Sequence, residues 1–140
     1  MSARRRIVLP ALLLAAALAT GCAHAPPAAT SVPLLQPLPG LYTAGQPAAG
    51  DWAAIKARGV RTVVNLRLPG ELKGRAEAAE VRAAGLRYIE IPVSGADGIN
   101  PANARALHEA LAPALGGGVL VHCASGNRAG ALLALEQRDF

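Results

Sequence analysis

The chain has 140 residues, of which 14 are Lys or Arg and nine are Asp or Glu. Three of the basic residues, Arg4, Arg5 and Arg6, precede an apolar run from Ile7 to Leu18. Without residues 1–22 the chain has 11 basic and nine acidic residues, a net charge of +2. This small net charge gives little support for nucleic acid as a partner, and none is expected.

Residues 1–22 have the order of an export signal: a basic start, an apolar run and a small residue before Cys22. The apolar run is too short for a comfortable transmembrane helix. The end of the segment is similar to the cleavage site of bacterial lipoproteins, although Ala19 stands where leucine is usual. The sequence therefore predicts a lipoprotein-type signal peptide with a lipid on Cys22, and ordinary secretion or a retained anchor are the alternatives. The expected location is the periplasmic face of a bacterial membrane, or secreted or periplasmic.

Residues 23–39 are rich in alanine and proline, a composition typical of an extended tether. Residues 40–140 have the size of one small domain. If Cys22 is acylated, Cys123 is the one cysteine left in the exported chain. No intrachain disulfide then forms, so the Cys123 thiol is buried, catalytic or open to oxidation.

The domain alternates predicted strands and helices with short connections. They are a strand at 41–43, a helix at 51–58, a strand at 60–66, a helix at 71–84, a strand at 86–93, a helix that begins at Pro101 after the cap Asn100, a strand from Val119 and a helix after Arg128. This order predicts a three-layer α/β fold with a mostly parallel sheet of about four strands and helices on both faces. After Arg128, the sequence offers Leu132, Leu133 and Leu135 to cover the sheet, so either the last helix suffices or the domain is C-terminally truncated.

Ligands of such sheets bind beyond the carboxyl ends of the strands, where Arg67, Asp97 and the segment 119–130 are expected. In that segment an apolar strand leads into Cys123, a turn follows, and Arg128 opens a helix. Backbone N–H groups of such a turn converge on one point, which lowers the pKa of a thiol placed there. Arg128 suits bidentate binding of a phosphate or a sulfate-like group, and Gly126 allows a positive φ. A small buried cysteine is the alternative.

Four segments, in this order, resemble bacterial tyrosine and dual-specificity phosphatase-like domains, including those of beta-lactamase-hydrolase-like proteins and those fused to NAD-kinase-like domains. The segments are Leu41-Tyr42-Thr43-Ala44-Gly45-Gln46-Pro47, Gly59-Val60-Arg61-Thr62-Val63-Val64-Asn65-Leu66-Arg67, Tyr88-Ile89-Glu90-Ile91-Pro92-Val93, and the stretch from His122 to Gly130. The resemblance implies a cysteine-phosphatase-like fold and a phosphoric monoester hydrolase without cofactor or metal. The implied substrate is a phosphorylated small molecule or a phosphoprotein.

The resemblance also implies roles for single residues. Cys123 would attack phosphorus and form a cysteinyl-phosphate, Arg128 would hold the phosphoryl oxygens, and Asp97 would protonate the leaving oxygen. A solvated turn residue is the alternative for Asp97, since Gly98 follows it. The residues expected to bind substrate or to shape its cradle are His122, Ala124, Ser125, Gly126, Asn127 and Arg67.

The loop departs from the phosphatase pattern in its length. Four residues separate Cys123 from Arg128, whereas the usual phosphatase loop has five, and Ala129 stands where a hydroxyl residue often follows the arginine. Rhodaneses use the shorter loop and carry a persulfide on the cysteine. Three hypotheses follow: a phosphatase-like hydrolase, which the other three segments favour; a sulfurtransferase with a Cys123 persulfide; and a non-catalytic module that binds an anion or a partner.

Overall fold

A five-stranded sheet forms the centre of the computed structural model, which describes residues 21, 25–114 and 117–140. The predicted signal peptide, apart from Gly21, and the predicted lipidation site Cys22 lie outside these residues. The strands are β1 (Leu35–Leu38), β2 (Leu41–Ala44), β3 (Val60–Asn65), β4 (Arg87–Glu90) and β5 (Gly118–His122). Their order across the sheet is β1-β2-β5-β3-β4, with β1 antiparallel to β2 and the other neighbours parallel.

Helices cover both faces of the sheet because the parallel strands are apolar on both sides. They are α1 (Trp52–Ala57), α2 (Glu77–Ala83), α3 (Pro101–Leu111) and α4 (Asn127–Asp139). Neighbouring residues of one strand point to opposite faces, so Val63 and Leu120 pack with α1 and α2, whereas Val64 and Val121 pack with α3 and α4. The three-layer, mostly parallel α/β fold is confirmed.

The strand count is five in place of the expected four because β1 lies within the segment predicted as tether. Val32 and Leu34 pack against the core on the α1 side. The backbone N–H of Ser31 donates to Asp51 Oδ1 at 2.9 Å, and the Ser31 hydroxyl donates to Oδ2 of the same carboxylate. From Ser31 onward the chain is therefore attached to the domain, and the tether expected at 23–39 does not extend to its predicted end.

The second helix begins at Glu77 and not at residue 71 as predicted. Residues Pro69–Glu71 form a 3-10 turn, and Gly74 has a φ of +71°. A left-handed residue cannot continue a right-handed helix, so helical conformation starts only after it. Because α2 starts later than predicted, Glu71 lies in the connection between β3 and α2, and Glu77 is the buried first residue of the helix.

The face near the C-terminus is covered by α3 and α4 together. Leu107 and Leu111 of α3 share one buried cluster with Leu132 and Leu133 of α4. No helix among the described residues is long and apolar enough to span a membrane.

Candidate active site

The loop that follows β5, residues 123–128, is the centre of the site and is called the cysteine loop below. It starts at the carboxyl end of β5, between β2 and β3. The backbone N–H of Gln46, just after β2, donates to the carbonyl oxygen of Ala124 at 3.1 Å, and the N–H of Leu66, just after β3, donates to that of His122 at 2.9 Å. Both neighbouring strands therefore fix the position of the loop.

Two glycines let the backbone of the loop and the backbone after β2 approach each other. A Cβ atom on Gly45 would lie 3.1 Å from the carbonyl oxygen of Ala124, closer than most such contacts. Gly126 has a φ of +92° and precedes the first residue of α4. That left-handed conformation, which glycine adopts without steric cost, turns the loop back toward Cys123.

Cys123 is buried, and its Sγ accepts a hydrogen bond from the backbone N–H of Gly126 at 3.1 Å. Burial raises the pKa of this thiol, whereas hydrogen bonds from backbone N–H groups lower it. The lowering is the larger effect, so the pKa lies below its ordinary value; the N–H groups are those of Ala129, Ser125, Gly126 and Arg128. A lowered pKa increases the fraction of thiolate, which is the nucleophilic form.

Arg128 is held in place by three hydrogen bonds. Its Nη1 and Nη2 donate to the two carboxylate oxygens of Glu71, each at 2.8 Å, and Nη1 also donates to the carbonyl oxygen of Val93 at 2.8 Å. The pKa of Arg128 is raised, first by Glu71 and also by Cys123. A guanidinium group has five N–H bonds. These three contacts leave the Nε–H and the second Nη2–H, which are parallel and match two oxygens of a phosphate.

Glu71 joins two arginines. Its carboxylate accepts from Arg128, from the backbone N–H of Leu68 at 2.8 Å and from Arg67 Nε at 3.3 Å. The Arg128 guanidinium, the Leu68 N–H and Arg67 lower the pKa of Glu71 to about 2, against the effect of partial burial. Arg67, expected to bind substrate, also donates from Nη1 to Gln46 Oε1 at 2.9 Å and from Nη2 to the carbonyl oxygen of Glu71 at 3.0 Å. All three of its side-chain nitrogens therefore hold residues that surround the cysteine loop.

His122 lies behind the cysteine loop rather than on its substrate side. Its side chain is fully buried, and its Nε2 lies 2.6 Å from Glu77 Oε1. Gln46 Nε2 donates to Glu77 Oε2 at 2.5 Å. The expectation that His122 touches substrate therefore does not fit its burial, whereas its expected role in orienting the loop fits these contacts.

The other predicted residues are more accessible. Ala124, Ser125 and Asn127 are exposed on the cysteine loop, and Gly126 is half-buried. Asp97 is exposed in the loop between β4 and α3, four residues after Val93, whose carbonyl binds Arg128. The arrangement brings Cys123 and Arg128 together, and the structure places the loop of Asp97 at the same edge of the sheet.

Three further residues of the site were not predicted from the sequence: Glu71, Glu77 and Gln46. The helix predicted at 71–84 assigns Glu71 no role in the site. The pattern offered one signal for Gln46, because it belongs to the first of the four segments that resemble the phosphatase-like domains. Among the described residues, no cluster of three or more His, Cys, Asp or Glu could hold a metal ion.

Three features define a cysteine-phosphatase-like domain: a buried thiol with a lowered pKa, backbone N–H groups that converge on it, and an arginine whose Nε–Nη2 edge is not used by Glu71 or Val93. Comparison with known proteins agrees. The family model for the phosphatase-like domain of beta-lactamase hydrolase-like protein matches residues 37–139. The chain belongs to this family, which confirms the resemblance inferred from the sequence.

Curated relatives share the domain but are much longer. The beta-lactamase hydrolase-like protein of Xylella fastidiosa (strain Temecula1 / ATCC 700964) is 41% identical over 101 residues, which are 69% of this chain and 23% of that protein. Its counterpart in Agrobacterium fabrum is 38% identical over 101 residues, with the same coverage. The chain thus spans about a quarter of the length of these relatives.

Solved structures that are similar to this chain support the same class of protein, the cysteine-phosphatase-like domains. A DUF442 protein from Shewanella putrefaciens CN-32 has a TM-score of 0.64 and 34% identity, and the match covers 74% of this chain and 69% of that one. P. aeruginosa TpbA, solved in complex with pTyr, has a TM-score of 0.59 and 28% identity, over 72% of this chain and 59% of that one.

Proposed function

We propose that the protein hydrolyses phosphomonoesters of the tyrosine or dual-specificity type, with Cys123 as nucleophile. The observation that carries the proposal is the pairing of a thiol of lowered pKa with Arg128, whose Nε–Nη2 edge is not occupied by its contacts with Glu71 and Val93. A thiolate attacks phosphorus, and a guanidinium edge binds two phosphoryl oxygens as their charge develops. The family match places the chain with phosphatase-like domains, which supports hydrolysis over sulfur transfer.

In the first step the thiolate of Cys123 forms an S–P bond and the P–O bond to the leaving group breaks. The electron pair of that bond goes to the leaving oxygen, which takes a proton from Asp97 in this proposal. The N–H groups around Sγ and the Nε–Nη2 edge of Arg128 bind the phosphoryl oxygens in transit.

In the second step water attacks the cysteinyl-phosphate. A new O–P bond forms, the S–P bond breaks, and the pair returns to sulfur as thiolate. The proton of the water returns to Asp97, and inorganic phosphate leaves. The backbone N–H of Gly126 stabilises the departing thiolate directly, a contribution that matters more here because Ala129 supplies no hydroxyl.

The substrate class is a phosphate on an aryl or alkyl oxygen. TpbA was solved with pTyr, which supports a phosphotyrosine-like group for this chain as well. Ala124, Ser125 and Asn127 are exposed around the mouth of the cysteine loop, so the part of the substrate beyond the phosphate meets short side chains.

The test compares hydrolysis of p-nitrophenyl phosphate by the parent protein and by Cys123→Ser, with Cys22→Ser as the matched cysteine control. We expect Cys123→Ser to lower kcat by more than about a thousandfold and Cys22→Ser to leave it unchanged. Acid quenching of the parent should trap phosphate on Cys123. Thiosulfate:cyanide transfer lost with Cys123, without phosphate release, would assign a sulfurtransferase instead, and a folded protein inactive in both assays would contradict catalysis.

We also propose that the protein is an exported lipoprotein, held at the periplasmic face of a membrane by a lipid on Cys22. The support is the order of residues 1–22: basic start, short apolar run and a small residue before the cysteine. Metabolic labelling with a radioactive fatty acid tests it. The label should enter the parent and Cys123→Ser but not Cys22→Ser; label that is absent from the parent would contradict the anchor.

A further inference from the structure

The edge of the sheet opposite the cysteine loop carries a cluster of exposed cations. Strands β2, β3, β4 and β5 are parallel, so their amino ends lie at one edge, called the amino edge below. Helices α1 and α2 end there, because each is followed by a strand that starts at this edge. Residues 53–64 and 81–89, which contain these two connections, include five basic residues and no Asp or Glu. All five are exposed: Lys56, Arg58, Arg61, Arg82 and Arg87.

The contacts that these side chains make are with uncharged groups. Arg61 Nη1 donates to the carbonyl oxygen of Lys56 at 3.3 Å, and Lys56 Nζ donates to that of Ala84 at 2.9 Å. The Arg82 guanidinium lies 5.8 Å from the centre of the Tyr88 ring. The ion pairs in the part of the chain that the structure describes involve other side chains. Since a guanidinium keeps its proton, the positive charge of this cluster is available to an external anion.

Arg58 and Arg87 are held in place by their backbones. The backbone N–H of Arg58 donates to the carbonyl oxygen of Ile55 at 3.1 Å, and its carbonyl oxygen accepts from Tyr42 Oη at 3.2 Å. Arg87 starts β4, opposite Thr62 of β3. Either guanidinium can therefore turn toward an external anion without disturbing these backbone contacts.

An apolar groove of about 630 Å³ adjoins the cations on the same edge. It lies where β1 ends and β2 and β5 start, beside the ends of α3 and α4, and its large apolar side chains include Leu38, Leu111 and Phe140. Leu38 and Phe140 are 47% and 51% exposed. The groove meets the cations at Gly117, where an added Cβ atom would lie 2.7 Å from Arg61 Cγ. The amino edge thus has a basic half and an apolar half that touch.

The acidic residues of α3 and α4 lie on the other face of the sheet from α1 and α2. Glu136 Oε1 is 2.9 Å from His108 Nδ1, and Asp139 Oδ1 accepts from Arg138 Nε at 2.7 Å. Glu109 is exposed on α3. The sheet therefore separates these three carboxylates from the cations on α1 and α2.

We propose that the amino edge binds the surface of a bilayer that contains anionic lipids. The guanidinium groups contact headgroup phosphates there, and Leu38 and Phe140 enter the layer between the headgroups and the acyl chains. A bilayer is favoured over an acidic polypeptide because cations and large apolar side chains occupy two adjoining halves of one edge. The five residues of β5 separate this edge from the cysteine loop by about 17 Å, so the active site stays open to solvent. The proposal depends neither on phosphatase activity nor on a lipid at Cys22.

The test measures binding of the full chain to sedimented vesicles of phosphatidylcholine alone and of an equimolar mixture with phosphatidylglycerol. Arg87→Glu should weaken binding to the mixed vesicles by about tenfold to thirtyfold, since each cation near an anionic surface contributes about fivefold. The matched control is Lys73→Glu, which reverses an exposed cation in the connection between β3 and α2, on the side of the cysteine loop, and should leave binding unchanged. Residues 1–22 are the same in every variant, so their own affinity for lipid cancels in the comparison.

A second comparison tests the apolar half. Leu38→Ser should weaken binding to the mixed vesicles by about threefold to tenfold. Leu35→Ser is its control, because Leu35 lies at the other end of β1 and is 65% exposed, so its replacement should leave binding unchanged. Thermal melts check that each variant is folded. If Arg87→Glu does not fold, Arg58→Gln takes its place, with an expected loss of about fivefold.

Three results would overturn the proposal: equal binding of the parent to both kinds of vesicle, equal losses in Arg87→Glu and Lys73→Glu, and equal losses in the two leucine variants. Binding of polyglutamate without any preference for the mixed vesicles would also overturn it, and would assign the edge to an acidic polypeptide. None of these measurements requires hydrolysis, so they decide the proposal even for a protein without phosphatase activity.

Discussion

Arg128 and Glu71 form an end-on pair in which Nη1 donates to Oε1 and Nη2 donates to Oε2, each at 2.8 Å. The pair uses the outer edge of the guanidinium and leaves the Nε–Nη2 edge for an anion. It also fixes the plane of the group, so less rotamer entropy is lost when a phosphate binds.

Replacement of Glu71 by glutamine should weaken binding of oxyanions. A glutamine side chain offers one acceptor oxygen, so Arg128 would lose one of two parallel bonds and the fixed plane of its guanidinium. We expect inorganic phosphate to inhibit roughly tenfold more weakly and kcat/KM to fall by about tenfold to a hundredfold. Glu109→Gln is the control, because Glu109 is an exposed glutamate on α3. An inhibition constant equal to that of the parent would show that Arg128 needs no such support.

Glu71 should also make the folded state sensitive to acid. Its pKa in the folded protein is about 2, below the ordinary 4.5, so its ionised form stabilises the fold fully above about pH 5. That contribution is lost as the pH falls from about 5 toward 2. Urea midpoints measured across this range should fall more steeply for the parent than for Glu71→Gln. Urea midpoints that fall equally with pH in the parent and in Glu71→Gln would contradict the lowered pKa of Glu71.

Gly126 should tolerate no side chain without cost, because its φ of +92° is unfavourable for any L residue. We expect Gly126→Ala to destabilise the protein by about 1–2 kcal/mol. Gly130→Ala is the matched control, since Gly130 is helical and an added Cβ meets no atom within 4 Å; it should stabilise by about 0.5–1 kcal/mol. Thermal melts of both variants measure these changes in stability. A shift of Tm in the same direction for both variants would contradict the prediction.

Asp97→Asn tests the general acid. Loss of a proton donor affects substrates with poor leaving groups most, so hydrolysis of an alkyl phosphate should fall by about a hundredfold or more. Hydrolysis of p-nitrophenyl phosphate should fall much less. Asp139→Asn, on the last turn of α4, serves as control, and an equal loss on both substrates would assign Asp97 to loop structure instead.

The sequence predicted the features that local patterns encode. The apolar strand before Cys123, the turn at Gly126 and the helix predicted after Arg128 are nearly contiguous, so the spacing of residue types was enough to identify an anion cradle around a thiol. Alternation of strands and helices gave the parallel sheet by the same kind of argument.

The supports of the cradle were not predictable because they are non-local. Glu71 lies 57 residues from Arg128, and Glu77 lies 45 residues from His122. The sequence pattern predicts a helix that starts at residue 71, and this helix assigns neither Glu71 nor Glu77 a role in the site. The left-handed Gly74 breaks that helix, and one glycine in a helical pattern does not reveal its φ.

In the proposed lipoprotein, the attachment of Ser31 to Asp51 would limit the distance between the lipid on Cys22 and the cysteine loop. Asp51 closes the turn that starts at Ala48, two residues after Gln46, which itself binds the cysteine loop. Between Cys22 and Ser31 lie eight residues, whose fully extended reach is about 30 Å. A protein anchored in this way would search only a thin layer next to its membrane, so its substrates would be phosphoesters displayed at that surface.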